Sequence, residues 1–136
     1  MGARQGLVLD VPVKPVPASR PNVTRWRTYY GKQYTAFRDE AKKFLAELRH
    51  SPVAVYDGPL AVLTEIICPR PKSTKKYWPR GDIDNYEKAI WDSITNSKRW
   101  WADDDQIVFN ASHKRWAGKH EQPGIQLTIY PLEYPE

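Results

Sequence analysis

The chain is short of the features that mark several large classes of protein. It has one cysteine, Cys68, in 136 residues, so it forms no internal disulfide, and no cysteine and histidine spacing suits zinc. That usage fits a reducing compartment, and the expected location is the cytoplasm. The N-terminal stretch MGARQGLVLDVPVKPVP contains no apolar run long enough for a signal peptide. Nothing elsewhere approaches the roughly 20 apolar residues needed to span a bilayer, so no membrane partner is expected. Glycine-rich phosphate loops, internal repeats and low-complexity tracts are all missing. What remains is a single domain over residues 1–136, large enough for a two-layer core and too small for two independent ones.

What the chain does have is charge, unevenly placed. Lysine and arginine number 21 against 16 aspartate and glutamate, for a formal charge of +5. The acids include a pair, Asp82 and Asp84, and a run, Asp103, Asp104 and Asp105, so the remaining surface is more basic than the total suggests. A basic surface around a concentrated acidic pocket suits a metal nuclease, because cations hold the phosphate backbone while carboxylates hold the metal. Charge alone describes an ordinary solvated basic domain equally well.

The acidic segments sit where a helix and a strand begin. In RGDIDNYEKAIWDSITNSKRWWADDDQIV, residues 80–108, Asp82 is placed as a helix N-cap and Asp84 in the first turn. Each helical residue turns the face by about 100°. Ile83, Tyr86, Ile90 and Ile94 therefore form an apolar stripe, with Asp84 and Lys88 side by side on the other face. Asp104 arrives from WWADDDQIV, whose Gln106–Phe109 portion reads as the start of a buried strand. Carboxylates from two elements can thus meet. Magnesium takes hard oxygen ligands and keeps several waters, so two or three aspartates with open positions suit an Mg²⁺ that also binds phosphate. Asp103 and Asp105 are alternatives to Asp104, since a one-residue shift at a strand start reverses which side chain faces inward. Asp92 is set apart from this group, as a solvated residue or an ion-pair partner of Lys88. Asn85 is read as orienting a carboxylate or capping the helix.

At these residues the chain resembles the RusA family of Holliday junction resolvases. The motif is an arginine before D-[LI]-D-N, a lysine four residues after the second aspartate, and W-x-D-D-x-Q-[VI]. Here it is carried by Arg80, Asp82, Asp84, Asn85, Lys88 and Trp101 through Ile107. The resemblance implies a RusA-like resolvase domain over residues 1–136 that cleaves four-way DNA junctions as a homodimer, with Mg²⁺ as cofactor and Mn²⁺ as a substitute. Carried over by position, it makes Asp82, Asp84 and Asp104 the catalytic, metal-holding acids and Lys88 the catalytic base or charge stabiliser. Asn85 and Asp103 become supporting residues. Asp105, a third acid in a row, departs from the pattern.

Leu7–Val13 alternates as a strand that Pro12 confines to an edge or ends early. The loop after it holds Pro15, Pro17 and Pro21 with Lys14, Arg20, Arg25 and Arg27 and no acid. It reads as a stiff basic DNA-contacting arm, with Trp26, Tyr29 and Tyr30 available to stack on bases, or else as a tethered loop whose aromatics join the core. Residues 31–49 form an amphipathic helix ended by Ser51 and Pro52, and LAVLTEIIC, residues 60–68, is a central strand. The segment 69–80 carries Arg70, Lys72, Lys75, Lys76 and Arg80 without an acid and leads into Asp82. It reads as a phosphate-binding loop with Tyr77 and Trp78 poised to stack or wedge. After the second helix come two strands, 106–114 and 125–130, expected to pair as a hairpin across RWAGKHEQPG. His113 and His120 are assigned to surface or phosphate contact.

The order strand, helix, strand, helix, strand, strand predicts an α+β domain with helices packed on one small mixed sheet. The expected function is Mg²⁺-dependent junction resolution in recombination and repair. Two other classes compete: a flap- or fork-selective nuclease using the same chemistry, and a catalytically silent DNA-binding protein. A surplus of aromatics, among them Trp91, Trp100, Trp101 and Trp116, is the expected source of a dimer interface.

Overall fold

The structure is a computed structural model describing residues 2–3, 6–25, 28–48 and 55–133. Its elements in chain order are β1 (Gly2–Ala3), β2 (Leu7–Val11), β3 (Asn22–Val23), β4 (Thr28–Tyr29) and α1 (Lys32–Glu47). These are followed by β5 (Leu60–Cys68), α2 (Ile83–Ser97), a 3₁₀ turn (Asp104–Gln106), β6 (Ile107–Trp116) and β7 (Gly124–Glu133). With the two-residue strands set aside, the order is the predicted β-α-β-α-β-β, and the fold is α+β with two helices on a mixed sheet. Arg27 and Trp26 of the proposed arm, and the Ser51 and Pro52 expected to end α1, lie outside the described residues.

β5 is central. It pairs parallel with β6 and antiparallel with β7, and β7 pairs on its other edge with β2 and β1. Leu60, Val62, Thr64, Ile66 and Cys68 alternate down its covered face, all buried. Both helices pack on that face. Tyr34, Phe37, Ala41 and Leu45 of α1 and Ala89, Ile90 and Ile94 of α2 join Leu9, Val11, Ile125, Leu127 and Ile129 in one cluster. β2 stops at Val11, where Pro12 removes the next donor, and it lies on the sheet edge as its sequence indicates.

The expected hairpin of β6 and β7 does not form, because β5 lies between them. β6 has no fully buried residue and takes an edge position, whereas the regular alternation of β5 and β7 demands neighbours that share a covered face. The chain crosses through α2 from β5 to its parallel neighbour β6, then passes through residues 117–123 to the far side of β5.

Two tryptophans end α2. Lys98 and Trp100 both adopt left-handed backbone, φ 59 and 68°, which turns the chain sharply and drives Trp100 and Trp101 into the core. These two are 2% and 0% exposed, so neither supplies a dimer surface, contrary to expectation. Trp101 Nε1 donates to Thr95 Oγ1 at 2.7 Å, and Arg99 stacks 5.2 Å from the Trp100 ring centroid while donating to Leu45 O. The 3₁₀ turn follows at once. Its Gln106 carboxamide oxygen accepts from the N–H groups of Ala102 and Asp103, and its nitrogen donates to Tyr56 O and Gly58 O at 2.8 and 2.9 Å. One side chain thus ties the acidic turn to the loop before β5. Gln106→Leu removes all four bonds and should lower unfolding free energy by about 2 kcal/mol or more in urea denaturation, since each net hydrogen bond contributes about 1 kcal/mol. Stability equal to wild type would mean the turn holds its shape without the clamp.

Candidate active site and nucleic-acid interface

The start of α2 is built as predicted in position and differently in detail. Asp82 occupies the N-cap, yet its side chain makes no capping hydrogen bond; Asp82 O instead accepts from Asn85 N and Tyr86 N. The carboxylates of Asp82 and Asp84 are both exposed at the positive end of the helix, a position that favours negative charge. Asn85 acts through its backbone: its carbonyl accepts from Ala18 N at 2.9 Å and pins the proline-rich arm across the helix end.

Asp84, Lys88 and Asp92 follow at intervals of four along α2 and form one stripe. Lys88 Nζ lies 3.9 Å from Asp92 Oδ2, so the expected ion pair is present, in a solvated setting. The structure adds a role for Asp92 that its separation in sequence had hidden. Asp104 has its carboxyl held above the usual carboxylate range, first by desolvation, then by a hydrogen bond with Asp103, then by the charge of Asp92 and that of Asp103. Asp92 therefore belongs to the electrostatic neighbourhood of the acidic turn. The sequence signal was there in the eight-residue interval from Asp84, two steps along one helix face.

The three consecutive aspartates separate by environment. Asp103 caps the 3₁₀ turn, its carboxylate accepting from Asp105 N at 3.0 Å in a capping box with Gln106. Asp105 is exposed and Asp104 is half-buried. Of the three, Asp104 is the desolvated one. Asp82, Asp84 and Asp104 do not form a ready-made cage: among the described residues, no group of three His, Cys, Asp or Glu side chains has the spacing of a metal site. The donor set fits an ion held by one or two carboxylates and completed by water and a phosphate, the usual habit of Mg²⁺.

The cationic residues divide as well. Lys14, Lys75, Lys76 and Arg80 line one cavity of about 740 Å³ with Pro17, Cys68, Tyr86 and Trp116, bringing the two basic loops together beside the N-terminus of α2. Arg70 and Lys72 are exposed on the same loop but do not line the cavity, and Arg20 and Arg25 are exposed on the arm. The arm's backbone is tethered, with Val13, Pro15 and Ala18 buried while Lys14 and Arg20 face solvent. Tyr30 is partly exposed and packs edge-on to Tyr34 at 5.3 Å with Arg38 over its ring. His113 and His120 are both at the surface, the first contacting Glu65 at 3.1 Å on the uncovered sheet face and the second in an exposed turn.

Lys114 was not singled out by sequence, and nothing in its context would have done so. Its ammonium donates to Pro79 O at 2.9 Å and to Gly81 O, fastening the end of the basic loop to β6. Gly81 has φ +96°, and a Cβ there would lie 3.0 Å from the Tyr86 ring and 3.2 Å from Pro17. Only glycine makes this link between Arg80 and Asp82 without strain.

An acidic helix end beside a cationic cavity is an arrangement suited to a phosphodiester hydrolase of nucleic acids. The family model for endodeoxyribonuclease RusA matches residues 12–130. The chain belongs to the RusA family, and is thereby an endodeoxyribonuclease. A search of curated proteins gave no match. No helix among the described residues is long and apolar enough to cross a membrane.

The raised pKa of Asp104 has a measurable consequence. The folded state holds that proton more tightly than the unfolded chain, so the stabilising contribution is present below the ordinary carboxylate pKa and is lost as pH rises through the raised folded value. At neutral pH in the presence of a chelator, Asp104→Asn should unfold at a slightly higher temperature than wild type, and the gap should close in acid. The gain is small because the group is partly solvated. A lower midpoint at neutral pH would show that the ionised carboxylate stabilises the fold.

Proposed function

We propose that the protein is a Mg²⁺-dependent endonuclease that resolves four-way DNA junctions as a homodimer, nicking two strands of like polarity, in recombination and repair. The observation that carries this reading is the helix-face stripe Asp84, Lys88 and Asp92, whose last member acts electrostatically on Asp104, on a chain of this family. Asp82, Asp84 and Asp104 would hold the ion, with Mn²⁺ able to replace Mg²⁺. When bound, the metal supplies activation of water and neutralisation of charge at the leaving oxygen.

The chain's own residues do the rest. Asp92 lies beside the Lys88 ammonium along the helix face, where a positive charge would stabilise the negative charge that builds on the non-bridging phosphate oxygens in an in-line displacement. Lys88 then acts as a charge stabiliser in preference to a base. Asp103 and Gln106 hold the turn that presents Asp104. Lys75, Lys76 and Arg80, with Lys14 opposite, hold backbone phosphates and draw DNA to the site.

A second protomer has a surface to meet. The sheet face turned away from the helices presents Val8, Leu63 and Phe109, 55%, 38% and 59% exposed. Burial of such a face between two copies would place two sites on one particle, matching the two-fold symmetry of a four-way junction.

The test compares end-labelled four-way, flap and linear DNA with and without Mg²⁺. Wild type should cut the junction only with the metal, and Asp84→Asn should bind it with undiminished affinity and leave it uncut. On a cruciform plasmid, excess Asp84→Asn mixed with wild type should convert linear product to nicked circles. Cleavage by Asp84→Asn within a few-fold of wild type would remove the assignment, and undiminished linear product would remove the dimer. Separately, neutralising Lys72, Lys75 and Lys76 should weaken binding to every DNA and flatten its salt dependence, by about 0.9 in the log–log slope for each phosphate that is no longer neutralised. An unchanged slope would place these lysines away from DNA.

A further inference from the structure

The cavity between the basic loops has a chemistry that holding a duplex backbone does not use. A backbone is gripped by cations along an open surface, and the sequence-independent part of binding needs no apolar floor. Here a concavity of about 740 Å³ is lined by Lys14, Lys75, Lys76 and Arg80 together with the partly exposed Trp116 and the edge of the buried Tyr86, with no acidic residue among those that line it. That size falls within the range of sites that enclose a small molecule. Cations for a phosphate above rings and prolines for a base are the two requirements of a bound nucleotide.

We propose that this cavity takes one unstacked nucleotide from the branch point of the DNA, its base against Trp116 and its phosphate on the lysines and Arg80. The proposal rests on the nuclease reading above and names how the enzyme tells a branch from a linear duplex. Removing a base from its stack costs least where the stack is already interrupted, so a pocket that demands an unstacked base selects branched DNA.

The cavity is held open before DNA arrives. Tyr86 Oη donates to Arg80 O at 2.7 Å, and Trp116 Nε1 donates to Lys76 O at 2.9 Å. The Lys114 ammonium fastens Pro79 and Gly81 from below. Trp116, which would receive the base, and Tyr86 beneath it thus also fix the backbone of the cationic loop, and little ordering remains to oppose binding. At the outer end of the same loop Tyr77 and Trp78 are 86% and 57% exposed. Large aromatics left in water beside a basic cavity are placed to cover the gap left by the departing base.

The experiment places 5-iodouracil at each branch nucleotide of a four-way junction and irradiates its complex with the full chain in chelator, so the DNA stays uncut. Cross-linked peptides are then mapped by mass spectrometry. The expected result is a link to Trp116 from a branch nucleotide and none from the same base in linear duplex. Ser73→Arg, at an exposed residue lining the cavity, narrows it while adding positive charge. At saturating DNA it should reduce that link by about tenfold or more, as expected for the loss of one stacked base. Links confined to Tyr77 and Trp78, or a Trp116 link unchanged in Ser73→Arg, would overturn the pocket. Junction cleavage by wild type with Mg²⁺ is measured alongside. Cleavage without a link in the cavity removes the pocket and leaves the nuclease reading standing. A Ser73-sensitive link without cleavage does the reverse, and neither result removes both.

Discussion

The carboxamide of Gln106 decides where the acidic turn can be. A run of three aspartates repels itself, and a short 3₁₀ turn has little internal hydrogen bonding to oppose that repulsion. Gln106 supplies the opposition from outside, accepting from the two N–H groups that open the turn and donating to two carbonyls of the segment before β5. Asp103 completes the cap with its own carboxylate. Of the three acids, one is therefore used to hold the turn, one is left to solvent, and Asp104 is held half-buried near Asp92. Desolvation, then the hydrogen bond with Asp103 and the charges of Asp92 and Asp103, hold the Asp104 pKa up, and a divalent cation would relieve the repulsive part.

The opposite end of α2 is fixed by a different device. Arg80, Gly81 and Asp82 must pass from an extended cationic loop to a helix N-cap in three residues. The left-handed turn at Gly81 makes the change of direction, the Tyr86 ring and Pro17 fill the space a side chain would need, and Lys114 ties the loop to the sheet. Helix, basic loop and edge strand β6 are thereby one unit. That dependence explains why β6, polar and exposed along most of its length, still belongs to the site: Lys114 and Trp116 each hold a backbone carbonyl of the loop 69–80.

The element order, the edge position of β2, the central β5 and the amphipathic faces of both helices were legible in the sequence, because each is set by the period of its apolar residues. The pairing of β6 was not. A connection such as RWAGKHEQPG between two strands looks like a hairpin loop, and only the demand of β5 for a neighbour on each edge rules it out. In the site, Asp82, Asp84, Lys88 and the acidic run were visible as motif residues. Asp92 was visible only as a partner for Lys88, since its approach to Asp104 depends on how α2 crosses the 3₁₀ turn. Trp100 and Trp101 looked like surplus aromatics because the left-handed backbone that turns them inward leaves no mark in composition. Lys114 and the concavity of the basic loops arise from tertiary packing alone.

The geometry of α2 also separates two tasks that would interfere at one point. Tyr86 lies two residues from both Asp84 and Lys88, about 200° around the helix, so the cationic cavity and the acidic stripe occupy opposite sides of the same helix end. Had the lysines of the loop stood among the aspartates, direct ion pairs would have neutralised both and left neither phosphate nor cation a binding site. The helix body and the arm pinned to Asn85 keep them apart. The helix N-terminus itself carries a partial positive charge, which favours the Asp82 and Asp84 carboxylates on one side and a backbone phosphate on the other.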